Sequence, residues 1–172
     1  MGKNNKIKKL CTAGVIASLY AGLTYLSAAL GLAYGPVQLR LSEALVILPI
    51  FEPVAVLGLV IGCFLGNLLS FNVLDLLFGT AATAIGAMGT YFFRKIRIKG
   101  YPLLSFLSPV IANTIIVPLE IYLFWTNNNT QSLIVIGAGI LIGEIGAVII
   151  LGSFLYFGIN KIKHKGNSFN EK

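Results

Sequence analysis

The sequence contains very little of the side-chain chemistry on which enzymes depend. Its 172 residues include one histidine, two cysteines and one tryptophan, and the histidine, His164, lies among lysines near the end of the chain. There is no HExxH, no GxSxG and no Cys/His spacing typical of a metal site. A GxxxxGK[S/T] phosphate loop is also missing. These absences predict a protein that is not an enzyme, that uses no metal or cofactor, and that takes any energy it needs from ions or from another subunit.

Charged residues are scarce as well, at 11% of the chain, whereas 56% of the residues are hydrophobic and the mean hydropathy is +0.86. This composition is typical of a protein that crosses a membrane several times. The net charge of +7 comes mainly from short basic segments beside apolar runs, at residues 3–9, 94–99 and 161–172. Short basic flanks mark cytoplasmic loops. We therefore expect a multi-pass protein of the cell membrane with both termini in the cytoplasm, and no binding of nucleic acid.

The apolar runs predict six helices in one membrane domain that covers residues 1–172, with cytoplasmic tails at about 1–8 and 161–172. The predicted helices cover residues 9–32, 41–51, 54–70, 73–93, 103–125 and 132–160. The second is too short to cross a hydrocarbon core of about 30 Å at about 1.5 Å per residue. The predicted fold class is an all-α membrane protein, a bundle of six transmembrane helices in which helix 2 is short.

Small residues form two stripes at four-residue spacing. The stripes are Ala13, Ala17 and Ala21 in helix 1, and Gly58, Gly62 and Gly66 in helix 3. Such stripes let helix backbones approach closely in lipid. On the residues alone, the alanines of helix 1 pack either within the bundle of the chain itself or against a partner protein.

Acidic residues number six, yet five of them fall in the apolar part of the chain. These five are Glu43, Glu52, Asp75, Glu120 and Glu144. Each costs about 2.5 kcal/mol or more at the centre of a membrane helix, so we expect water, partners or a shallow position to compensate for them.

Topology predicts that four charged residues meet near the extracellular face. Arg40 is the one basic residue between residues 10 and 93, and Glu43 follows it at the start of helix 2. Asp75 and Glu120 map to the extracellular ends of helices 4 and 5. Together they predict a polar cavity that opens to the outside. Three carboxylates and one arginine favour a solute with hydrogen-bond donors or a positive charge.

Other positions leave more than one role open. Asn113 precedes Glu120 by seven residues, close to two helical turns, so both side chains project from one face of helix 5. Asp75 opens helix 4, where a carboxylate also suits the exposed amides of a helix N-terminus. Glu144, near the middle of helix 6, stays ambiguous, and a hydrogen bond to a neighbouring helix is one role for it.

Several segments of the chain carry a family resemblance. They are YGPVQLRLSEAL at 34–45, the glycine ridge that ends in Gly66 and Asn67, DLLFG at 75–79 and PLEIYLFW at 118–125. With them the sequence resembles the substrate-binding S components of energy-coupling-factor (ECF) transporters, and among these the queuosine-precursor branch of QueT type. The resemblance implies six helices, an outward-facing pocket, a separate transmembrane coupling subunit and two cytoplasmic ATPases. It also implies that the stripe of Ala13, Ala17 and Ala21 docks the coupling subunit.

For the queuosine branch the implied ligand is a 7-deazaguanine base, either the aminomethyl or cyano precursor or queuine. The implied polar contacts are Arg40, Glu43, Asp75, Glu120, Asn113 and Asn67, and the aromatic candidates for stacking are Tyr34, Phe71, Phe78, Tyr122 and Trp125. We assign Glu120 or Glu43 to the guanine-like edge and Asp75 to a second polar contact. Arg40 is assigned to the carbonyl O6 or to orienting Glu43.

Three alternatives remain open at this stage. The first is an S component for another vitamin, because the scaffold is shared and the side chains select the ligand. The second is a carrier that acts alone and uses Asp75, Glu120 or Glu144 as proton sites. The third is a structural membrane protein whose buried charges only pair with one another.

Overall fold

The computed structural model describes residues 3–33, 37–68, 72–125 and 130–170. Within these ranges the chain is helical apart from short connections and one isolated bridge between Ile98 and Tyr101. Six helices follow one another through the described residues, which confirms the all-helical class. They are helix 1 (Lys3–Ala29), helix 2 (Leu41–Ile50), helix 3 (Ala55–Asn67), helix 4 (Val73–Phe93), helix 5 (Leu103–Trp125) and helix 6, which joins the segments Thr130–Glu144, Ile145–Leu151 and Gly152–Asn170.

Helices 4 and 5 begin and end at the predicted residues, whereas the other boundaries shift. Helix 1 begins at Lys3 and helix 6 continues to Asn170, so the helices extend into the basic segments that we predicted as tails. Lysine is a good helix former and allows such extensions. Helix 1 stops at Ala29 because Gly31, at a φ of 71°, takes the left-handed conformation that closes many helices.

Helix 2 is a ten-residue 3₁₀ helix, and it is the central element of the bundle. Seven of its ten residues are buried, and it contacts each of the other five helices in the described chain. At about 2.0 Å per residue it reaches about 20 Å, which confirms that it is too short to span a bilayer. Its side chains contribute to two apolar clusters, Leu45 and Val46 to one and Ile47 to the other.

Four helical stretches among the described residues are long and apolar enough to cross a membrane. They are Asn4–Ala29, Val73–Phe93, Leu103–Phe124 and Leu133–Lys163. Helix 3, with 13 residues, reaches only about 20 Å at about 1.5 Å per residue. The predicted count of six spans and the orientation of the termini therefore stay predictions.

The outer surface of the long helices is apolar. Leu19, Leu77, Ile115 and Ile142 are each more than half exposed, although each belongs to a stretch long enough to span. A water-soluble protein rarely exposes so many large apolar side chains together. These side chains suit contact with lipid.

The alanine stripe of helix 1 lies inside the bundle. Ala13, Ala17 and Ala21 are buried, and a Cβ added to Gly58 or Gly62 of helix 3 would lie 2.7 Å from the Ala13 carbonyl oxygen or 2.8 Å from that of Ala17. The two helix backbones thus meet where both stripes have small side chains. In the chain by itself the three alanines pack internally and leave little accessible surface, which favours the first of the two roles left open for them, and their contact with a coupling subunit stays a prediction.

Candidate functional site

Arg40 lies at the N-terminal end of helix 2, where the chain enters the bundle in extended conformation. The Leu41 amide donates to Ser27 Oγ at 2.9 Å, and the Leu39 amide donates to the Leu32 carbonyl at 2.9 Å. These bonds fix the entering segment to the end of helix 1. Arg40 Nη1 donates to Asn67 Oδ1 at 3.2 Å.

Asn67, at the end of helix 3, joins Arg40 to helix 4. Its Nδ2 donates to the Asp75 carbonyl at 3.3 Å and to Cys63 Sγ at 3.4 Å. The first turn of helix 4 is capped by Asn72, whose side-chain oxygen accepts from the Leu74 amide at 3.0 Å. Asn72 is therefore the N-cap, and Asp75 lies in the first turn of helix 4, where its carboxylate suits the exposed amides as considered from the sequence.

Glu43 is the one carboxylate of helix 2, and only 2% of its surface is exposed. The Tyr20 hydroxyl donates to its Oε1, and Asn113 Nδ2 donates to its Oε2 at 3.3 Å. The same Asn113 amide donates to Glu144 Oε1 at 3.0 Å. Asn113 therefore links two carboxylates from helices 2 and 6, which its two N–H groups allow.

Glu144 ends the first α-helical segment of helix 6, directly before the π-helical segment Ile145–Leu151. Its side chain is buried, and its Oε2 has no hydrogen-bond partner among the described residues. Single π-helical turns often occur at functional sites. A buried acceptor without a donor is costly, so an additional donor is expected to reach it.

Glu120 provides a second unsatisfied acceptor. It is buried on helix 5, and its Oε1 has no hydrogen-bond partner in the described part of the chain. Its carboxyl interacts directly with that of Asp75, and Arg40 is close enough to act on it electrostatically. Two carboxyl groups in contact favour a cation or a hydrogen-bond donor beside them.

A small cavity connects several of these groups. Its polar walls are Gln38, Arg40, Glu43, Asn113 and Glu144, and its apolar walls are Val117 and Ile140. Apolar walls with a few convergent polar groups are typical of a ligand site. The cavity measures about 10 Å³, which is room for about one water molecule. A ligand the size of a purine base therefore requires the walls to separate.

Gly143 sets the width of this cavity from the side of helix 6. A Cβ added there would lie 1.8 Å from the Gln38 carbonyl oxygen and 2.5 Å from the Gln38 carbonyl carbon. The segment before Arg40 thus rests against the backbone of helix 6, and only glycine permits that approach.

The structure brings together most of the polar residues predicted for the site. Arg40 contacts Asn67, Glu43 contacts Asn113, and Asp75 contacts Glu120. Among the aromatic candidates, the Phe78 ring packs against Phe124, with 6.0 Å between centroids. Tyr122 lies half-buried on helix 5. Tyr34, Phe71 and the side chain of Trp125 lie outside what the structure describes.

Tyr20 and Glu144 were not among the residues assigned to the ligand from the sequence, although the hydrogen bond considered between Glu144 and a neighbouring helix is confirmed by its bond with Asn113 of helix 5. Tyr20 gave no signal, because a tyrosine in an apolar helix is indistinguishable from a packing residue. Glu144 did give one, since a carboxylate within a membrane span is a candidate functional residue, but its partners could not be named.

Comparison with known proteins gives two matches. A sequence profile described as QueT transporter matches residues 10–161. The chain is also similar to the Queuosine precursor transporter QueT of Lactococcus lactis subsp. cremoris (strain MG1363), with 30% identity over 96 residues. That alignment covers 55% of this chain and 57% of the relative. No solved structure matches the chain.

Proposed function

Because this chain belongs to the QueT transporter family, we propose that it binds a queuosine precursor, a 7-deazaguanine base, and carries it into the cell. The family consists of transporters and not of enzymes. The family and the four long apolar helical stretches among the described residues make the chain a multi-pass protein of the plasma membrane. The main support for this ligand is a pair of buried carboxylate oxygens, one on Glu120 and one on Glu144, that accept no hydrogen bond from the described residues.

A 7-deazaguanine base supplies the donors that these oxygens lack. Its guanine-like edge presents an N–H and an NH₂ group side by side, and one carboxylate can accept from both. The aminomethyl precursor adds a cation, which a second carboxylate can meet. Glu120 and Glu144 suit these two roles because each has one unpartnered oxygen. The Arg40 guanidinium can donate to the ring carbonyl.

Glu43 and Asn67 are better suited to position other groups than to contact the ligand. Both oxygens of Glu43 already accept hydrogen bonds, from Tyr20 and from Asn113. Asn67 accepts from Arg40 and directs the guanidinium. We therefore move the guanine-edge assignment from Glu43 to Glu120 or Glu144, and keep Asp75 as a second polar contact beside Glu120.

Calorimetric titration of the purified, detergent-solubilised chain with 7-aminomethyl-7-deazaguanine tests the ligand class. We expect one ligand per chain, bound selectively over guanine and riboflavin and without ATP. Guanine lacks the aminomethyl cation, and riboflavin lacks the guanine-like edge. Absence of heat for the deazaguanine, with the protein shown to be folded, would reject this substrate. A stronger signal for riboflavin would favour an S component for a different vitamin.

We further propose an ECF arrangement, in which six helices, with helices 2 and 3 short, place both termini in the cytoplasm. The basic segments before helix 1, after helix 4 and at the end of helix 6 support this orientation. The cavity beside Arg40, Glu43 and Glu144 then faces outward, because Asn67 links Arg40 to Asp75 at the start of helix 4, whereas the basic segment begins at the other end of that helix, at Arg94. A separate coupling subunit and two ATPases would supply the energy.

If a coupling subunit contacts helix 1, the exposed face about 100° around the helix from the buried alanines is accessible to it. Gly14, Ser18 and Gly22 are exposed there at four-residue spacing, and a Cβ added at either glycine meets nothing within 4 Å. This small-residue face suits close approach of a partner helix.

Reconstitution into vesicles tests the energy source. We expect uptake of the labelled deazaguanine only when the coupling subunit, the ATPases and ATP are present, because this chain has no phosphate loop of its own. The control is the same vesicle with the chain alone. Uptake by the chain alone that stops when the proton gradient is dissipated would instead establish an ion-coupled carrier.

A further inference from the structure

A second cavity lies at the opposite end of the bundle from the cavity beside Arg40, Glu43 and Glu144. It opens between the turn that joins helices 4 and 5 and the last part of helix 6, and its volume is about 500 Å³. Its polar lining includes Arg97, Lys99, Tyr156 and Asn160, and no carboxylate belongs to the described residues that line it. The cavity is therefore basic, and it is large enough for a charged headgroup.

The turn that carries Lys99 has a tightly defined backbone. Ile98 and Tyr101 exchange hydrogen bonds of 2.9 and 3.1 Å across it. The two residues between them, Lys99 and Gly100, have φ angles of 51° and 83°, as in a type I′ turn. Glycine or asparagine is the usual residue at the Lys99 position. A lysine held in this conformation presents its charge at the tip of the turn, beside the cavity.

Arg97 is held in place by the aromatic residues of the cavity wall. Its Nη1 contacts the Tyr156 hydroxyl, and its guanidinium carbon lies 5.8 Å from the centroid of the Tyr156 ring. Tyr101 forms a hydrogen bond of 2.7 Å with Ser153, and its ring packs edge-on against Tyr156. The guanidinium is thus positioned before any ligand arrives, which lowers the entropic cost of binding.

The position of this cavity along the helices indicates what occupies it. The apolar span of helix 4 ends at Phe93 and that of helix 5 begins at Leu103, so the turn between them lies at the lipid–water boundary. Beside the cavity, Phe154 and Phe157 of helix 6 are 73% and 60% exposed. A basic cavity bordered by exposed aromatic rings matches a ligand that has an anionic head and an apolar tail.

We propose that this cavity binds the phosphate of an anionic phospholipid, with Arg97 and Lys99 as the charged contacts. The acyl chains lie along Phe154 and Phe157. Arginine and lysine are the usual partners of phosphate oxygens, and basic pockets between membrane helices bind anionic headgroups. This inference goes beyond the proposed transport function and does not depend on it.

Native mass spectrometry of the full chain, released from detergent, tests the site with short-chain phosphatidylglycerol. We expect one phosphatidylglycerol molecule to be retained per chain. Short-chain phosphatidylcholine, whose headgroup has no net charge, should be retained more weakly. Arg97→Gln and Lys99→Gln should each weaken binding about fivefold, since each basic residue near a membrane surface contributes about 1 kcal/mol. The matched control is Lys95→Gln, which removes the same charge from the same turn at a residue that does not line the cavity.

Three results would overturn the proposal. Equal retention of phosphatidylcholine would show that charge is not recognised. An equal loss with Lys95→Gln would indicate diffuse attraction and no defined site. Saturation by inorganic phosphate alone, at the lipid concentrations used, would identify a site for the free ion. Arg97 also contacts Tyr156, so Arg97→Gln could unfold the protein. Lys99 lies at the exposed tip of the turn, and Lys99→Gln therefore tests the site in that case.

Discussion

Replacing Glu144 by glutamine is expected to lower the affinity for 7-aminomethyl-7-deazaguanine about tenfold to a hundredfold. Glutamine has nearly the same volume and can still accept the Asn113 hydrogen bond at Oε1. At the other position it places an NH₂ group where Glu144 has an oxygen without a partner among the described residues. A donor there cannot accept from the ligand, and the negative charge is lost. Calorimetric titration of the variant and of the unaltered chain measures the difference.

The control for this experiment is Glu52→Gln. Glu52 is an exposed carboxylate at the turn between helices 2 and 3, far along helix 2 from Arg40, and its replacement should leave affinity unchanged within about twofold. Glu120→Gln tests the second unpartnered carboxylate in the same way. If Glu144 meets the aminomethyl cation, its variant should lose more affinity for that ligand than for the neutral cyano precursor. Affinity that stays the same in both the Glu144 and Glu120 variants would remove these carboxylates from the site.

Replacing Gly143 by alanine is expected to destabilise the protein by about 3 kcal/mol or more and to abolish ligand binding. The added Cβ would stand 1.8 Å from the Gln38 carbonyl oxygen, and this obstacle is backbone that cannot rotate away. The segment of Gln38 and Leu39 would have to move, and Arg40 with it. At a solvent-exposed position within a helix, replacing glycine by alanine stabilises the protein by about 1 kcal/mol. A loss of stability in Gly143→Ala would therefore show that the contact with Gln38 is present. Thermal unfolding in detergent and calorimetric titration measure the two consequences.

Gly137→Ala is the matched control, because it makes the same change in the same helix. There the nearest atoms to an added Cβ are on Pro118, at 3.8 and 3.9 Å, which is an ordinary contact. We expect its unfolding temperature to stay the same or rise slightly, with ligand binding retained. Equal stability of the two variants would mean that the contact of Gly143 with Gln38 does not constrain the bundle in solution.

The sequence by itself determined the helical class, the short second helix and the exact ends of helices 4 and 5. The reason is that long apolar runs flanked by polar or basic residues can satisfy their backbone groups in lipid only as helices. It also indicated that Arg40 lies near Glu43, Asp75 and Glu120, because buried charge in a membrane helix needs polar neighbours.

The tertiary structure alone decided which face of each helix turns inward. Apolar residues surround these helices on every side, so periodicity does not distinguish a lipid-facing stripe from a packing stripe. The alanines of helix 1 are buried because they pack against the glycines of helix 3, and this contact exists only in the folded chain. The same limit hid Tyr20 and the partners of Glu144. Helix rotation is set by contacts between helices, and those contacts carry no signal in the local sequence.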